Sequence, residues 1–220
     1  MKGFLRDNGL SLVLIALFVL FFAGQTVFGW LNYNDDKDEH HQPQIGLGQY
    51  LGTGAFGEAV FENWESEFLQ MGLYVILTVF LFQRGSSESK DPDKKEEVDE
   101  NGASKTEDPN VPLPVKKGGF ILMLYNHSLS LAFMLLFLIS FVGHAVCGAK
   151  AHNEEALEHG KNVLSVWQYL GTSQFWFESF QNWQSEFLAI FTIVVLSIWL
   201  REKGSPESKP VAAAHSQTAG

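Results

Sequence analysis

The chain has 220 residues, a formal net charge of −10 and one cysteine, Cys147. The negative charge disfavours nucleic acid as a partner, because phosphates would repel it, and a lone cysteine excludes an internal disulfide and a Cys-rich metal centre. Phe is unusually frequent, with 19 copies, and the apolar residues gather in four blocks separated by polar ones, a layout that one soluble core does not need.

Residues 1–9 form a short lead. The first apolar block, 10–30, is long enough to cross a hydrocarbon core of about 30 Å, which takes roughly 20 helical residues. It is too long for the apolar part of a signal peptide and lacks a small-x-small cleavage site, so it reads as a retained span. A polar segment follows with Asp35, Asp36, Asp38, Glu39, His40 and His41, then Pro43, Gly46, Gly48 and a Gln-Tyr-Leu-Gly-Thr box at 49–53. Thr53 has the character of a helix N-cap. After it, Phe56, Val60, Phe61, Trp64 and Phe68 share one helical face, and Glu58, Glu62 and Glu65 share another. This predicts an amphipathic lead-in helix near the outer interface. It runs into the second block, 68–82, which reaches spanning length only by taking in Asn63-Trp64-Glu65-Ser66-Glu67.

Residues 84–118 are rich in Ser, Lys, Glu and Asp, with prolines at 92, 109, 112 and 114. They are predicted to be a disordered linker. The third block is 119–142. A second polar segment carries Glu154, Glu155, Glu158 and His159, then the Gln-Tyr-Leu-Gly-Thr box again at 168–172, then Phe175-Trp176-Phe177. The fourth block is 187–200, and the tail 204–220 is predicted to be disordered.

The chain is written twice. Shifting it by 119 residues aligns 10–90 with 129–209 without a gap, and 33 of the 81 positions are identical. Chance gives roughly one in fifteen for ordinary composition. Asn63-Trp64-Glu65-Ser66-Glu67-Phe68-Leu69 answers to Asn182-Trp183-Gln184-Ser185-Glu186-Phe187-Leu188, and Gly85-Ser86-x-Glu88-Ser89-Lys90 to Gly204-Ser205-x-Glu207-Ser208-Lys209. The predicted organisation is a first two-span unit (1–83), the linker (84–118), a second two-span unit (119–203) and the tail (204–220). Two spans per unit bring both copies into the membrane the same way round, which predicts parallel repeats about an axis along the membrane normal. The fold class is therefore all-α: four transmembrane helices arranged as two pseudo-two-fold-related hairpins, each with an amphipathic outer lead-in. Twelve of the fifteen Lys and Arg, Lys105 among them, lie before the first span, between the second and third, or after Leu200. That places the termini and the linker in the cytoplasm.

Polar residues inside the spans carry the candidate sites. Glu67 and Glu186 lie about 5 Å inside the boundary of a span counted back from Arg84 or Arg201. A carboxylate there faces a wet or polar interior, or sits among lipid headgroups. Asn63 and Asn182 lie four residues earlier on the same face. Gln25 and His144, equivalent in the repeat, fall at a similar depth, which suggests the pairs Gln25–Glu67 and His144–Glu186. Two readings stand side by side: a proton- or cation-handling site, and buried hydrogen bonds that hold helices together. In the polar segments, Asp36 with His40 and Glu155 with His159 are four apart, a spacing that can hold a divalent cation or simply form a solvated acidic face. Haem would need facing histidines in the spans, and the first two have none. No phosphate loop, nucleophile elbow, zinc-protease or dinucleotide motif occurs, so no cofactor and no enzyme activity is expected.

The Asn-Gly-Leu-Ser-Leu opening a span, the Gln-Tyr-Leu-Gly-Thr box and Asn63-Trp64-Glu65-Ser66-Glu67-Phe68-Leu69-Gln70 together resemble a family of small bacterial four-span membrane proteins known as a domain of unknown function. The resemblance covers both units. It implies a bacterial cytoplasmic membrane and transfers no functional residue. The expected role is non-enzymatic, structural or partner-binding. The partners would be the lipid bilayer and a membrane or envelope protein, with homo-oligomerisation left open. The alternative is a small proton- or cation-coupled channel or transporter using Glu67 and Glu186.

Overall fold

The computed structural model describes residues 2–100, 102 and 109–218. Lys105, with residues 101 and 103–108 of the predicted linker and 219–220 of the tail, lies outside the described residues. Among the described residues the chain is helical and has no strand. In order come α1 (Lys2–Asp7), α2 (Gly9–Glu39), α3 (Leu47–Tyr50), α4 (Gly54–Phe80), a 3-10 turn (Glu97–Asp99), α5 (Leu113–Lys117), α6 (Gly119–Asn126), α7 (Ser128–Glu158), α8 (Val166–Tyr169) and α9 (Ser173–Leu196).

The duplication is visible element by element. Each bound of α2 recurs 119 residues later in α7, and each bound of α3 recurs in α8; α4 and α9 start at equivalent positions. Even the interruption before each long helix repeats. Asn8 separates α1 from α2 with φ −124° and ψ 13°, and His127 separates α6 from α7 with φ −115° and ψ 10°. The third apolar block is thus not one helix from residue 119. It breaks at His127, and the long helix starts at Ser128.

Among the described residues two helices, α2 and α7, are long and apolar enough to cross a membrane. Each has 31 residues, about 46 Å at 1.5 Å per residue. Both therefore run well past a 30 Å hydrocarbon core and carry their polar ends, Asp35–Glu39 and Asn153–Glu158, as continuous helix. The apolar blocks themselves end at Trp30 and Val142. The helices continue because the acidic stretch contains no Gly or Pro to stop them. Each is closed by histidine instead: Nδ1 of His40 donates to the Asp36 carbonyl (2.8 Å) and Nδ1 of His159 to the Glu155 carbonyl (2.9 Å).

The chain forms two compact units, and each draws on both copies of the repeat. Unit 1 joins Met1–Val60 to Gly143–Gly171; unit 2 joins Phe61–Val142 to Thr172–Gly220. In unit 1 the buried residues are Tyr50, Val60, Ala145, Ala149, Ala156 and Tyr169, with Asn34 and His144 among them. The small residues of α7 let neighbouring backbone come close: a Cβ on Gly54 would run into the main chain of Ala151, and one on Gly57 would lie 2.5 Å from Cys147 Sγ. In unit 2, Phe175 is fully buried, edge-on to Phe141 with ring centroids 5.3 Å apart. Much else that is buried there is polar: Glu65, Ser66, Gln70, Ser140, Ser179 and Ser197.

Candidate functional site

Each polar residue of the repeated box has a task. Gln49 Oε1 accepts from the Gly46 N–H (3.0 Å), and Gln168 Oε1 from the Ser165 N–H (2.8 Å), closing the short helix on itself. Thr53 Oγ1 caps α4 through Phe56 N–H (3.2 Å), and Thr172 Oγ1 caps α9 through Phe175 N–H (3.3 Å), as an N-cap should. The tyrosine docks on a glycine of the long helix. Tyr50 lies against Gly29 and Tyr169 against Gly148, so close that a Cβ at either glycine would overlap the phenol. A second latch holds the loop. Asn34 Nδ2 donates to the Ile45 carbonyl (3.0 Å) while its Oδ1 accepts from Ile45 N–H (2.8 Å). Asn153 does the same with Leu164, at 2.8 and 2.7 Å. Trp30 adds its indole N–H to the Ile45 carbonyl at 2.7 Å.

These contacts bring a carboxylate to the buried histidine. His144 is 0% exposed. A Glu58 carboxylate oxygen lies within 4.8 Å of a His144 ring nitrogen, and Tyr169 Oη donates to Glu58 Oε1 at 2.8 Å. A Cβ on Gly148 would meet Glu58 Oε1 at 2.6 Å and Tyr169 Oη at 2.7 Å, so glycine is what allows the two oxygens to converge there. Within unit 1 the carboxylate beside His144 is Glu58. Gln25 Nε2 donates to the Ala59 carbonyl at 3.3 Å.

The acidic–histidine clusters are also in unit 1. The Asp36 carboxylate is 3.6 Å from His40 Nδ1, and the same nitrogen already serves the helix end. The His40 and His159 rings meet edge to face, with centroids 6.4 Å apart. Lys37 Nζ bridges Gln42 Oε1 (2.8 Å) and Glu158 Oε1 (3.3 Å). The hydrogen bond to the Asp36 carbonyl, reinforced by the Asp36 carboxylate, raises the pKa of His40. Hydrogen bonding from Gln42, then from Lys37, lowers that of Glu158.

In unit 2 the buried carboxylate is Glu65, fully enclosed, with Trp183 Nε1 donating to its Oε1 at 2.9 Å. Glu67 is exposed, as is Asn63, and Glu186 is half-buried. Two residues apart on a helix is about 200° of rotation, so Glu65 and Glu67 cannot both face inward. The inward one is the one that meets an indole donor. Gln70 Nε2 donates to the main-chain oxygen of Glu186 at 2.6 Å, and Asn182 Nδ2 bonds back to its own helix at Glu178 O, 3.1 Å. Glu58, Glu65, Trp183 and Tyr169 were missed as partners. Position 65 is polar in both copies (Gln184 in the second) beside an invariant Trp, and that was the available signal.

The Gly-Ser-x-Glu-Ser-Lys segments close the far end of unit 2 as matched turns. Ser89 Oγ accepts from Gln83 N–H (2.8 Å) and Ser208 Oγ from Glu202 N–H (2.9 Å); Ser86 and Ser205 accept from Glu88 and Glu207 N–H. Each opens on a glycine with φ near 90°, Gly85 (88°) and Gly204 (91°), a conformation that disfavours any side chain. Beside them lie two grooves at equivalent places, about 550 Å³ lined by Tyr74, Glu88 and Ser89, and about 640 Å³ lined by Ile193, Glu207 and Ser208. Tyr74 Oη donates to Glu88 Oε2 at 2.9 Å.

Burial, with the Glu207 carboxyl nearby, raises the pKa of Glu88 even though Tyr74 lowers it. A carboxyl whose pKa is higher folded than unfolded binds its proton more tightly when folded. Its stabilising contribution is full below the unfolded value and lost as pH rises through the folded one. Glu88→Gln should therefore be at least as stable as the parent at pH 8, and the difference should close as pH falls towards 5. Melting temperatures in detergent across that range read it; a parent that gains nothing relative to the variant on acidification contradicts the assignment.

The model of the domain of unknown function DUF6766 matches residues 1–220, and the chain belongs to that family. No curated protein and no solved structure matches it.

Proposed function

We propose that this member of the family is a four-span integral membrane protein with a non-enzymatic, structural or partner-binding role. The observation that carries the membrane reading is α2: none of its apolar stretch is buried, and Leu10, Val13, Leu14, Phe18, Phe21 and Phe28 all stand exposed. At about 25 cal/mol per Å² of apolar surface, such a helix is stable in lipid and not in water. In this reading α4 and α9 are the second spans of two parallel, pseudo-two-fold-related hairpins. The basic lead, linker and tail face the cytoplasm of a bacterial cell, and the long helices carry the polar loops outside.

The polar contacts support a holding role: Glu58 is met by the Tyr169 hydroxyl and Glu65 by the Trp183 indole, donors on aromatic rings that fix a carboxylate in place. The surface for a membrane or envelope partner is aromatic: Trp167 in unit 1 is 84% exposed, and Phe177 in unit 2 is 68% exposed. Trp and Phe exposed at that level on the proposed outer side suit an interface. The transport alternative, through Glu67 and Glu186, predicts flux. Proteoliposomes of the purified chain should show no proton or potassium flux above empty vesicles under an imposed gradient. Flux that disappears in the Glu67→Gln, Glu186→Gln double variant would replace this reading with the transport one.

A further inference from the structure

We propose that a cavity in unit 1, beside the C-terminal part of α2, binds a small primary alkylammonium compound, a function beyond the structural role proposed above. The cavity measures about 480 Å³, and α2 lines it with Asn32, Tyr33, Asp35, Asp36 and Glu39 while Tyr50 lines it from α3. That volume suits a small-molecule site. Three carboxylates and an amide oxygen make the lining rich in acceptors. Asp36 lies 3.6 Å from His40 Nδ1, but the carboxylates of Asp35 and Glu39 make no hydrogen bond or ion pair among the described residues. Four residues apart on a helix, they are neighbours on one face. Carboxylates only accept, and an alkylammonium has three N–H donors and no acceptor. The aromatic wall suits the same charge. Lys37 Nζ already lies 5.1 Å from the Tyr33 ring centroid, a cation–π distance, with its own charge paired to Glu158 at 3.3 Å.

Tyr50 sets this cavity apart from a merely acidic surface. Its side chain is 5% exposed, and its ring is held by Tyr33 and Phe56, with centroids 5.5 and 5.4 Å away. Its hydroxyl lies against Gly29, which also lines the cavity. Among the described residues that hydroxyl has no hydrogen-bond partner. Leaving a buried hydroxyl unpaired is costly, and the equivalent Tyr169 is paired, donating to Glu58 Oε1 at 2.8 Å. An ammonium N–H in the cavity supplies what Tyr50 lacks. The lining belongs to the first copy alone. Asn32 and Tyr33 answer to Ala151 and His152, and the small residues Ala55 and Ala59, which leave the space, answer to Gln174 and Glu178. Docking the box tyrosine on its glycine therefore does not require these residues.

The full-length chain, purified in detergent, would be titrated at low salt with putrescine, a linear diamine, in a calorimeter. The parent should bind it, and tetramethylammonium, which has no N–H to donate, should bind more weakly. Asp35→Asn changes an exposed side chain, and Tyr50→Phe keeps the ring against Gly29 and removes only the hydroxyl, so neither variant threatens the fold. Each should weaken putrescine binding about 10–100-fold, the effect of losing a hydrogen bond to a charged group. Asp38→Asn removes a charge from the same acidic stretch but outside the lining, and should leave the affinity unchanged. No binding by the parent, tetramethylammonium bound as tightly as putrescine, an affinity unmoved by Tyr50→Phe, or equal losses in Asp35→Asn and Asp38→Asn would each overturn the site.

Discussion

Gly54→Ala should destabilise the chain by about 1–3 kcal/mol, the usual cost of forcing an extra carbon into a packed contact, read as a lower midpoint for thermal unfolding in detergent. The added Cβ meets the main chain of Ala151, and main chain cannot rotate out of the way. The Gly54 N–H also donates to Glu154 Oε2 at 3.2 Å, a bond that a displaced helix start would stretch. Helix propensity works in the opposite direction, by up to about 1 kcal/mol for Gly to Ala in a helix interior, and is smaller at a first-turn position. The steric effect wins. Gly24 is the internal control. It lies within α2 and an added Cβ would meet nothing within 4 Å, so Gly24→Ala should stabilise by up to about 1 kcal/mol. Equal shifts in the two variants would remove close backbone approach as the reason for glycine at residue 54.

Asn153→Ala should cost about 1–3 kcal/mol, the penalty for stranding partnered main-chain groups, and Asn34→Ala should cost less. Both asparagines hold the N–H and the carbonyl of the residue eleven places on. The first copy has reinforcement: the Trp30 indole also bonds the Ile45 carbonyl. The equivalent of Trp30 in the second copy is Ala149, so Leu164 depends on Asn153 more heavily. Limited proteolysis of the loop after Glu158, alongside thermal unfolding, reads the difference. Greater damage from Asn34→Ala would contradict the ranking.

Sequence periodicity and the 119-residue shift made the helices and the matched loops legible, down to Thr53 as an N-cap. These are local signals, each settled within one or two turns of its own residue. Three things were not legible. The long helices run on to Glu39 and Glu158 because their polarity changes while their helicity does not, and hydropathy sees only polarity. The choice between Glu65 and Glu67 depends on which face meets Trp183, a contact 118 residues away in sequence. The meeting of Glu58 with His144 depends on how closely glycine and alanine let two backbones approach. Unlike Glu67, Glu58 sits in a stretch whose charge looked merely amphipathic, so nothing in the pattern marked it.

The asparagine latch also bears on the order of assembly. Its partners are eleven residues apart, and a loop of that size closes on the order of 10–100 ns. A ribosome adds about 5–20 residues each second. Each latch is therefore free to close while the helix after it is still being made, and long before the other copy exists. The second helix of each repeat then begins from a fixed point, at Gly54 or Ser173, with its cap already in place. Two copies of one hairpin could pair with the wrong halves of each other during synthesis. A turn that sets early, inside its own copy, removes that choice before the rival segment has left the ribosome.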